Sequence, residues 1–338
     1  MRRRPELLSA LRLLRHCSRL FASHVSAGYD GTCALRRSGK VFCWGASPVD
    51  RLPQTVHLSP VAIDGVDDAT ALASSGTVEI GHCVTRKTGA VACWGSIPYG
   101  AGYEPKGMYN GIATIAGVAG LTQLSTGFAT CGAAASGEAV CFSGEPDHET
   151  IARMPGVHDA TAVVGLGAAW CAVRRSGTVT CEAWQAAGKT QDVPELAGAV
   201  HVSSRGCFAL RTGAIECLDE ADWQLGRGPK SVTGISDARL VDGSRWTGCA
   251  VRTNGHISCW GDNNVGQLGD GTHDPRSVPV EVVGVSDAIA ISVGQAHACA
   301  VRKNGRVACW GSAFDGRLGT GDDVSDSVTS PVRVDAGI

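Results

Sequence analysis

The sequence predicts an all-β fold: a seven-bladed β-propeller of roughly four-stranded antiparallel blades, its ring closed by the N- and C-terminal segments. Three observations predict it: seven cysteine couples of one spacing, a glycine at the same place within each couple, and a repeat that is broken off at one end of the chain and completed at the other. The couples are Cys33 with Cys43, Cys83 with Cys93, Cys131 with Cys141, Cys171 with Cys181, Cys207 with Cys217, Cys249 with Cys259 and Cys299 with Cys309, which leaves only Cys17 of the 15 cysteines. Their first members recur every 36 to 50 residues, the period range of propeller blades and solenoid repeats.

Each couple brackets a hairpin. The sixth residue after every first cysteine is glycine: Gly39, Gly89, Gly137, Gly177, Gly213, Gly255 and Gly305. A three-residue hairpin loop ends on a residue of positive φ, which glycine adopts without strain. Arg37-Ser38-Gly39 is then the loop and Arg36 faces Lys40. Counting outward, Cys33 faces Cys43 in a non-hydrogen-bonded pair with Cα atoms about 4.5 Å apart. A disulfide spans that gap, so seven cross-strand disulfides are predicted, each closing about 11 residues and stabilising by about 2 to 3 kcal/mol. Seven reduced pairs packed as small apolar side chains are the alternative. Zinc fits less well, because no second ligand pair stands beside either member of a couple.

Upstream of the hairpin comes an apolar strand entered through phrases such as Gly65-Val66-Asp67-Asp68-Ala69 and Gly284-Val285-Ser286-Asp287-Ala288. Downstream, Trp44-Gly45, Trp94-Gly95, Trp260-Gly261 and Trp310-Gly311 mark the outer repeats, while the middle repeats have lost the Trp-Gly pair. Strands of four to six residues that are small or apolar on both faces suit sheets sandwiched between sheets. Ser330 to Val334 repeats the strand Ser277 to Val282 but lacks the hairpin that should follow, and Ala22 to Gly28 supplies it. The expected result is a closed ring without an exposed edge.

Composition bounds the function. The chain has 45 glycines in 338 residues, 18% charged and 5% aromatic residues, and a net charge of -2. This fits a turn-rich protein and disfavours one that coats nucleic acid. No apolar run approaches the ~18 residues of a membrane-spanning helix. Residues 1–20 read as a basic, flexible N-terminal segment and residues 21–338 as the propeller, expected to be a monomer.

The stretches CWGDNNVGQLGDGT (Cys259 to Thr272), CWGSAFDGRLGTGD (Cys309 to Asp322) and VGQAHACAVRKNG (Val293 to Gly305) resemble the repeat of the regulator of chromosome condensation family. The resemblance covers roughly residues 21–338, strongly in the first and last two repeats and weakly between, and the hairpin cysteines look like those of bacterial, often secreted, relatives. It implies a seven-bladed propeller that serves as a protein-binding platform. Members include a chromatin-bound guanine nucleotide exchange factor for a small GTPase and a secreted bacterial inhibitor of β-lactamases, and fold alone does not choose among such roles.

No HExxH, GxSxG or P-loop occurs, so no catalytic residue, metal ligand or cofactor is assigned. His297, two residues before Cys299, reads as a satisfied structural histidine. Asp262, Asn264 and Asp270 share a loop that lacks the closing glutamate of a calcium-binding loop and reads as a family turn.

Charge placement points to binding. Residues 1–20 hold six arginines against Glu6, so the propeller itself is acidic. Its hairpin tips nevertheless carry Arg36, Arg37, Lys40, Arg86, Lys87, Arg174, Arg175, Arg211, Arg252, Arg302, Lys303 and Arg306 against Glu138 alone. All tips emerge on one face, which predicts a basic face and an acidic one, able to steer an oppositely charged partner. Arg36, Arg86, Arg174, Arg252 and Arg302 are candidate binding residues; solvated turn residues paired with neighbouring carboxylates are the alternative. A second candidate is the loop Ile97 to Ile112, where Tyr99, Tyr103, Met108 and Tyr109 offer apolar area at low entropic cost, or form a lid packed on their own blade.

Seven disulfides require an oxidising compartment, so a secreted, periplasmic or cell-surface location is expected. The first 20 residues do not form a regular export signal, since Arg12 and Arg15 interrupt the apolar stretch. Three readings follow: a start farther upstream, a segment of a longer protein, or reduced cysteines in the cytoplasm. The sequence thus supports a non-enzymatic propeller that binds another protein, with nucleic acid an unlikely partner. A cytoplasmic guanine nucleotide exchange factor is the alternative.

Overall fold

The computed structural model describes residues 22–46, 55–74, 81–96, 108–126, 129–143, 150–167, 169–184, 188–218, 227–321 and 327–334. They form seven sheets of four antiparallel strands, each sheet a contiguous stretch of chain. In blade 1 the strands are Ala22–Ala27, Gly31–Arg36, Val41–Gly45 and His57–Ala62, from the centre outward. The innermost strands of the other blades are Ala69–Ser74, Leu121–Thr126, Ala160–Gly165, Ala199–Val202, Ala238–Gly243 and Ala288–Val293. Each contacts the next, and the last contacts the first.

The hairpin register matches the expectation in all seven blades: each first cysteine lies opposite its partner. The Arg36 amide donates to the Lys40 carbonyl at 2.9 Å, so alternation makes Cys33 and Cys43 a non-hydrogen-bonded pair. All seven couples are disulfides, joining Cys33 to Cys43, Cys83 to Cys93, Cys131 to Cys141, Cys171 to Cys181, Cys207 to Cys217, Cys249 to Cys259 and Cys299 to Cys309. Their Cα separations are 3.9 to 4.1 Å, closer than the expected 4.5 Å of an average pair. The bridges are also part of the core between blades. Cys93 packs in one apolar cluster with Leu121 and Leu124 of blade 3, and Cys141 in another with Val163 and Trp170 of blade 4. The seven hairpin glycines have φ between +75° and +97°.

Those glycines join neighbouring blades as well. A Cβ on Gly39 would lie 2.7 Å from the carbonyl oxygen of Asp67 in the next blade's entry, and one on Gly137 would lie 2.0 Å from that of His158. The carbonyl of each hairpin glycine accepts an amide from the start of the following blade: Gly39 from Ala69, Gly89 from Gly120, Gly137 from Ala160, Gly177 from Ala199, Gly213 from Ala238 and Gly255 from Ala288. Gly305 accepts from Ala22 at 3.1 Å, which closes the ring. Ala22 and Val25 share an apolar cluster with Val301, Val307 and Val334 across the same junction. Closure is therefore by packing of two four-stranded blades, and among the described residues no blade takes strands from both ends of the chain.

The Trp-Gly marks are packing positions. Trp44 and Trp310 are fully buried, and their indole N–H groups donate to the Arg317 and Gln267 carbonyls of the preceding blade's outer loop. Two expectations are corrected. The outermost strand of blade 2, Met108–Ala119, runs 12 residues, so part of the Ile97–Ile112 segment read as loop is strand, paired with the strand Ala90–Ser96. His297 is only half satisfied: one ring nitrogen meets Thr32 Oγ1 at 2.7 Å, while Nδ1 has no hydrogen-bond partner among the described residues. Burial pushes its pKa down to about 3.

Candidate interaction face

Hairpin tips and inter-blade entries share one face of the disc. The third residue after each first cysteine, which ends the second strand, is Arg36, Arg86, Ala134, Arg174, Leu210, Arg252 and Arg302 in blades 1 to 7. In four blades this arginine is held by the aspartate just before its own innermost strand. Arg86–Asp68, Arg174–Asp159, Arg252–Asp237 and Arg302–Asp287 make ion pairs of 2.5 to 2.8 Å through Nε. Blades 3 and 5 lack both members at once: Ala134 faces a blade entered through Gly120, and Leu210 one entered through Gly198. The two positions vary together along the chain because a lone half-buried charge costs more than none.

Blade 1 is the exception. Phe21 precedes its innermost strand in place of the aspartate, and the Arg36 guanidinium lies 4.3 Å from the Phe42 ring centre. Its Nε and Nη2 are buried without a hydrogen-bond partner among the described residues, and burial pushes its pKa down.

The face of the tips is not purely basic. Asp64, Asp67, Asp68, Asp159, Glu195, Asp237 and Asp287 sit in the entries, on the face of the tips. Exposed cations follow the strand-ending positions: Arg37, Lys87, Arg175, Arg211 and Lys303 as the fourth residue after the first cysteine, with Lys40 and Arg306 beside them. The sequence alone places these in the tips but does not show which tip arginines are paired. The coupled loss of arginine and aspartate in blades 3 and 5 was the available signal.

Tyr99 and Tyr103 lie outside the described residues, as does the basic segment 1–20. Met108 and Tyr109 begin the long strand of blade 2, opposite Ser96 and Gly95. The opposite face carries two exposed aromatics that the sequence reading missed. Trp246 is 54% and Phe314 59% exposed, with Arg245 4.9 Å above the Trp246 ring. Phe314 occupies the turn position that is Asn264 one blade earlier, and that polar-to-aromatic exchange was visible in the sequence.

The loop of blade 6 is a closed turn. Asp270 accepts from Asn263 Nδ2 (3.2 Å), the Thr272 amide (3.0 Å) and hydroxyl (2.8 Å), and Arg276 Nε (3.2 Å). Burial raises its pKa, but these donors outweigh it and hold the carboxyl below the usual carboxylate range. Among the described residues no group of three or more His, Cys, Asp or Glu is placed to hold a metal ion, and no helix is long and apolar enough to cross a membrane.

Several solved propellers are similar in fold. Prp20p from Saccharomyces cerevisiae, studied for its binding to Gsp1p and histones, is 14% identical with a TM-score of 0.51, covering 92% of this chain and 76% of that one. Human WBSCR16 is 15% identical with a TM-score of 0.50, covering 93% and 81%. The ectodomain of the Arabidopsis thaliana receptor kinase ACR4 is 16% identical with a TM-score of 0.51, covering 87% and 96%. At such identities the likeness concerns the fold alone. No curated protein matches the sequence. The regulator of chromosome condensation (RCC1) repeat matches residues 254–301 and, in a second form, residues 22–48 and 288–317. The chain thus carries repeats of the RCC1 type at both ends of a ring that keeps one hairpin and one disulfide in all seven blades.

Proposed function

We propose that this protein is a non-enzymatic interaction platform of an oxidising, extracytoplasmic compartment, and that the hairpin face docks an acidic protein surface. The observation that carries the reading is the arc of exposed cations Arg37, Lys87, Arg175, Arg211 and Lys303, set at one height on disulfide-closed hairpins. The backbone of short, cross-linked hairpins loses little entropy on docking, and like charges in an arc steer an oppositely charged partner. Arg36 extends the arc as the tip arginine without a carboxylate. Arg86, Arg174, Arg252 and Arg302 support it from below, oriented by their aspartates. Tyr99, Tyr103, Met108 and Tyr109 are proposed as a second contact.

Retention on immobilised poly-glutamate, measured against salt, tests the face. The wild type is expected to bind at low salt and to elute as salt rises. Reversing Arg37, Lys87, Arg175 and Lys303 to Glu together should abolish retention, and unchanged retention would remove this face from consideration. A guanine nucleotide exchange activity is the alternative function for a propeller of this family. It predicts faster loss of labelled nucleotide from a small GTPase on mixing, which the platform reading does not.

A further inference from the structure

In blade 4 a buried carboxylate stands where blades 1 and 7 place a packed tryptophan. Glu182 follows Cys181 as Trp44 follows Cys43 and Trp310 follows Cys309. It is 4% exposed. Its Oε1 accepts the Gly188 amide, whereas Oε2 is buried without a hydrogen-bond partner among the described residues. Burying a carboxylate with one oxygen idle is unfavourable unless something completes it.

Glu182 lines a cavity of about 250 Å³ between blades 3 and 4, together with Ala152, Arg153, Pro155, Trp170 and Trp184. Trp170 is its cross-strand neighbour. The indoles of Trp170 and Trp184 stack with centres 5.4 Å apart and planes within 7°. Arg153 does not supply the missing charge: its Nη2 donates to the Gly117 carbonyl at 3.0 Å and its Nε lies 4.0 Å from Glu138.

We propose that this cavity binds an organic cation, an alkylguanidinium or alkylammonium group, with Glu182 Oε2 as its counter-charge and the tryptophan pair as its wall. A carboxylate beside indole faces favours a cation that is itself partly apolar. An anion would meet Glu182, and a hard metal ion would lack the several oxygens it requires. The volume suits a group the size of one side chain, so the cation arrives either as a free small molecule or as an Arg or Lys side chain of a partner. Glu182, Trp170 and Trp184 lie at the strand ends away from the hairpin tips, so either reading can fail without the other.

Calorimetry on the oxidised protein tests it, with n-butylguanidinium and n-butylammonium as probes, neutral n-butylurea as control, and a glycine-rich peptide with one central arginine. Saturable binding of the cations is expected, about 10- to 100-fold weaker in Glu182→Gln and also weakened in Trp184→Ala. Glutamine keeps an acceptor for the Gly188 amide, and an unchanged melting temperature verifies the fold. Tighter binding of the peptide than of free n-butylguanidinium identifies a partner's side chain as the source, and the reverse order identifies a small molecule. Equal binding of n-butylurea, undiminished binding in Glu182→Gln, or no binding of either cation at tens of millimolar overturns the proposal.

Discussion

His82 stacks on Trp94 with ring centres 5.4 Å apart and meets Ser74 Oγ at 2.9 Å, while His297 reaches Thr32 across the junction of blades 7 and 1. Burial pushes their pKa values down to about 4 and about 3, and that of His201 down to about 4. The folded protein therefore keeps these rings neutral where the unfolded chain would protonate them. Between pH 6.5 and the folded values the unfolded state binds more protons, so stability falls as pH falls. At pH 5 each histidine costs about 2 kcal/mol relative to pH 7. Burial raises the pKa of Asp242, which acts in the opposite sense. Denaturant midpoints at pH 7 and pH 5 should differ, and His297→Gln should remove about a third of the difference. Equal differences in the two proteins would show that His297 titrates normally. The tip arginines belong to this scale too: at about one third exposed, their pairs with aspartate contribute at most ~1 kcal/mol each, so they orient side chains more than they stabilise blades.

Among the blades the fifth is the slightest. Its strands span Ala199–Val202, Cys207–Leu210, Ile215–Cys217 and Lys230–Ser231, and its disulfide is the one whose cysteines are not fully buried. The other twelve hairpin cysteines are buried, Cys93 and Cys141 among them. Thiol–disulfide exchange needs access to sulfur, so mild reductant without denaturant should open the bridge between Cys207 and Cys217 first. Mass mapping of alkylated cysteines after brief reduction checks this, and random labelling among the seven bridges would contradict it. The same element shows what a repeat tolerates: blade 5 has lost Trp-Gly, arginine and aspartate, yet keeps Gly213, its positive φ and its hydrogen bond to Ala238.

At the scale of the molecule, seven nearly independent sheets become one body through a belt of hairpin-glycine carbonyls, each bonded to the next blade and closed at Gly305 and Ala22. Side chains add a second belt near the axis: Ser26 Oγ accepts the Ser74 amide, Ser292 Oγ that of Ala27, and Asp242 Oδ2 that of Val293. Cross-links within blades and hydrogen bonds between them divide the work, since a disulfide limits the unfolded hairpin while the belts hold the ring. Thiol titration of the unfolded, unreduced protein should find about one free thiol, Cys17, whereas about fifteen would mean reduced pairs.

The sequence by itself determined the blade: cysteine spacing, hairpin glycine and strand alternation are local, and a hairpin's register follows from its turn. It also determined the number of blades, because each repeat signs itself once. Only the tertiary structure decided the electrostatics of the hairpin face. Whether Arg86 is free or spent depends on Asp68, 18 residues away and brought beside it by the sheet, and a count of tip charges does not contain that distance. Glu182 follows the same logic, since a carboxylate becomes a site only when neighbouring blades exclude water around it.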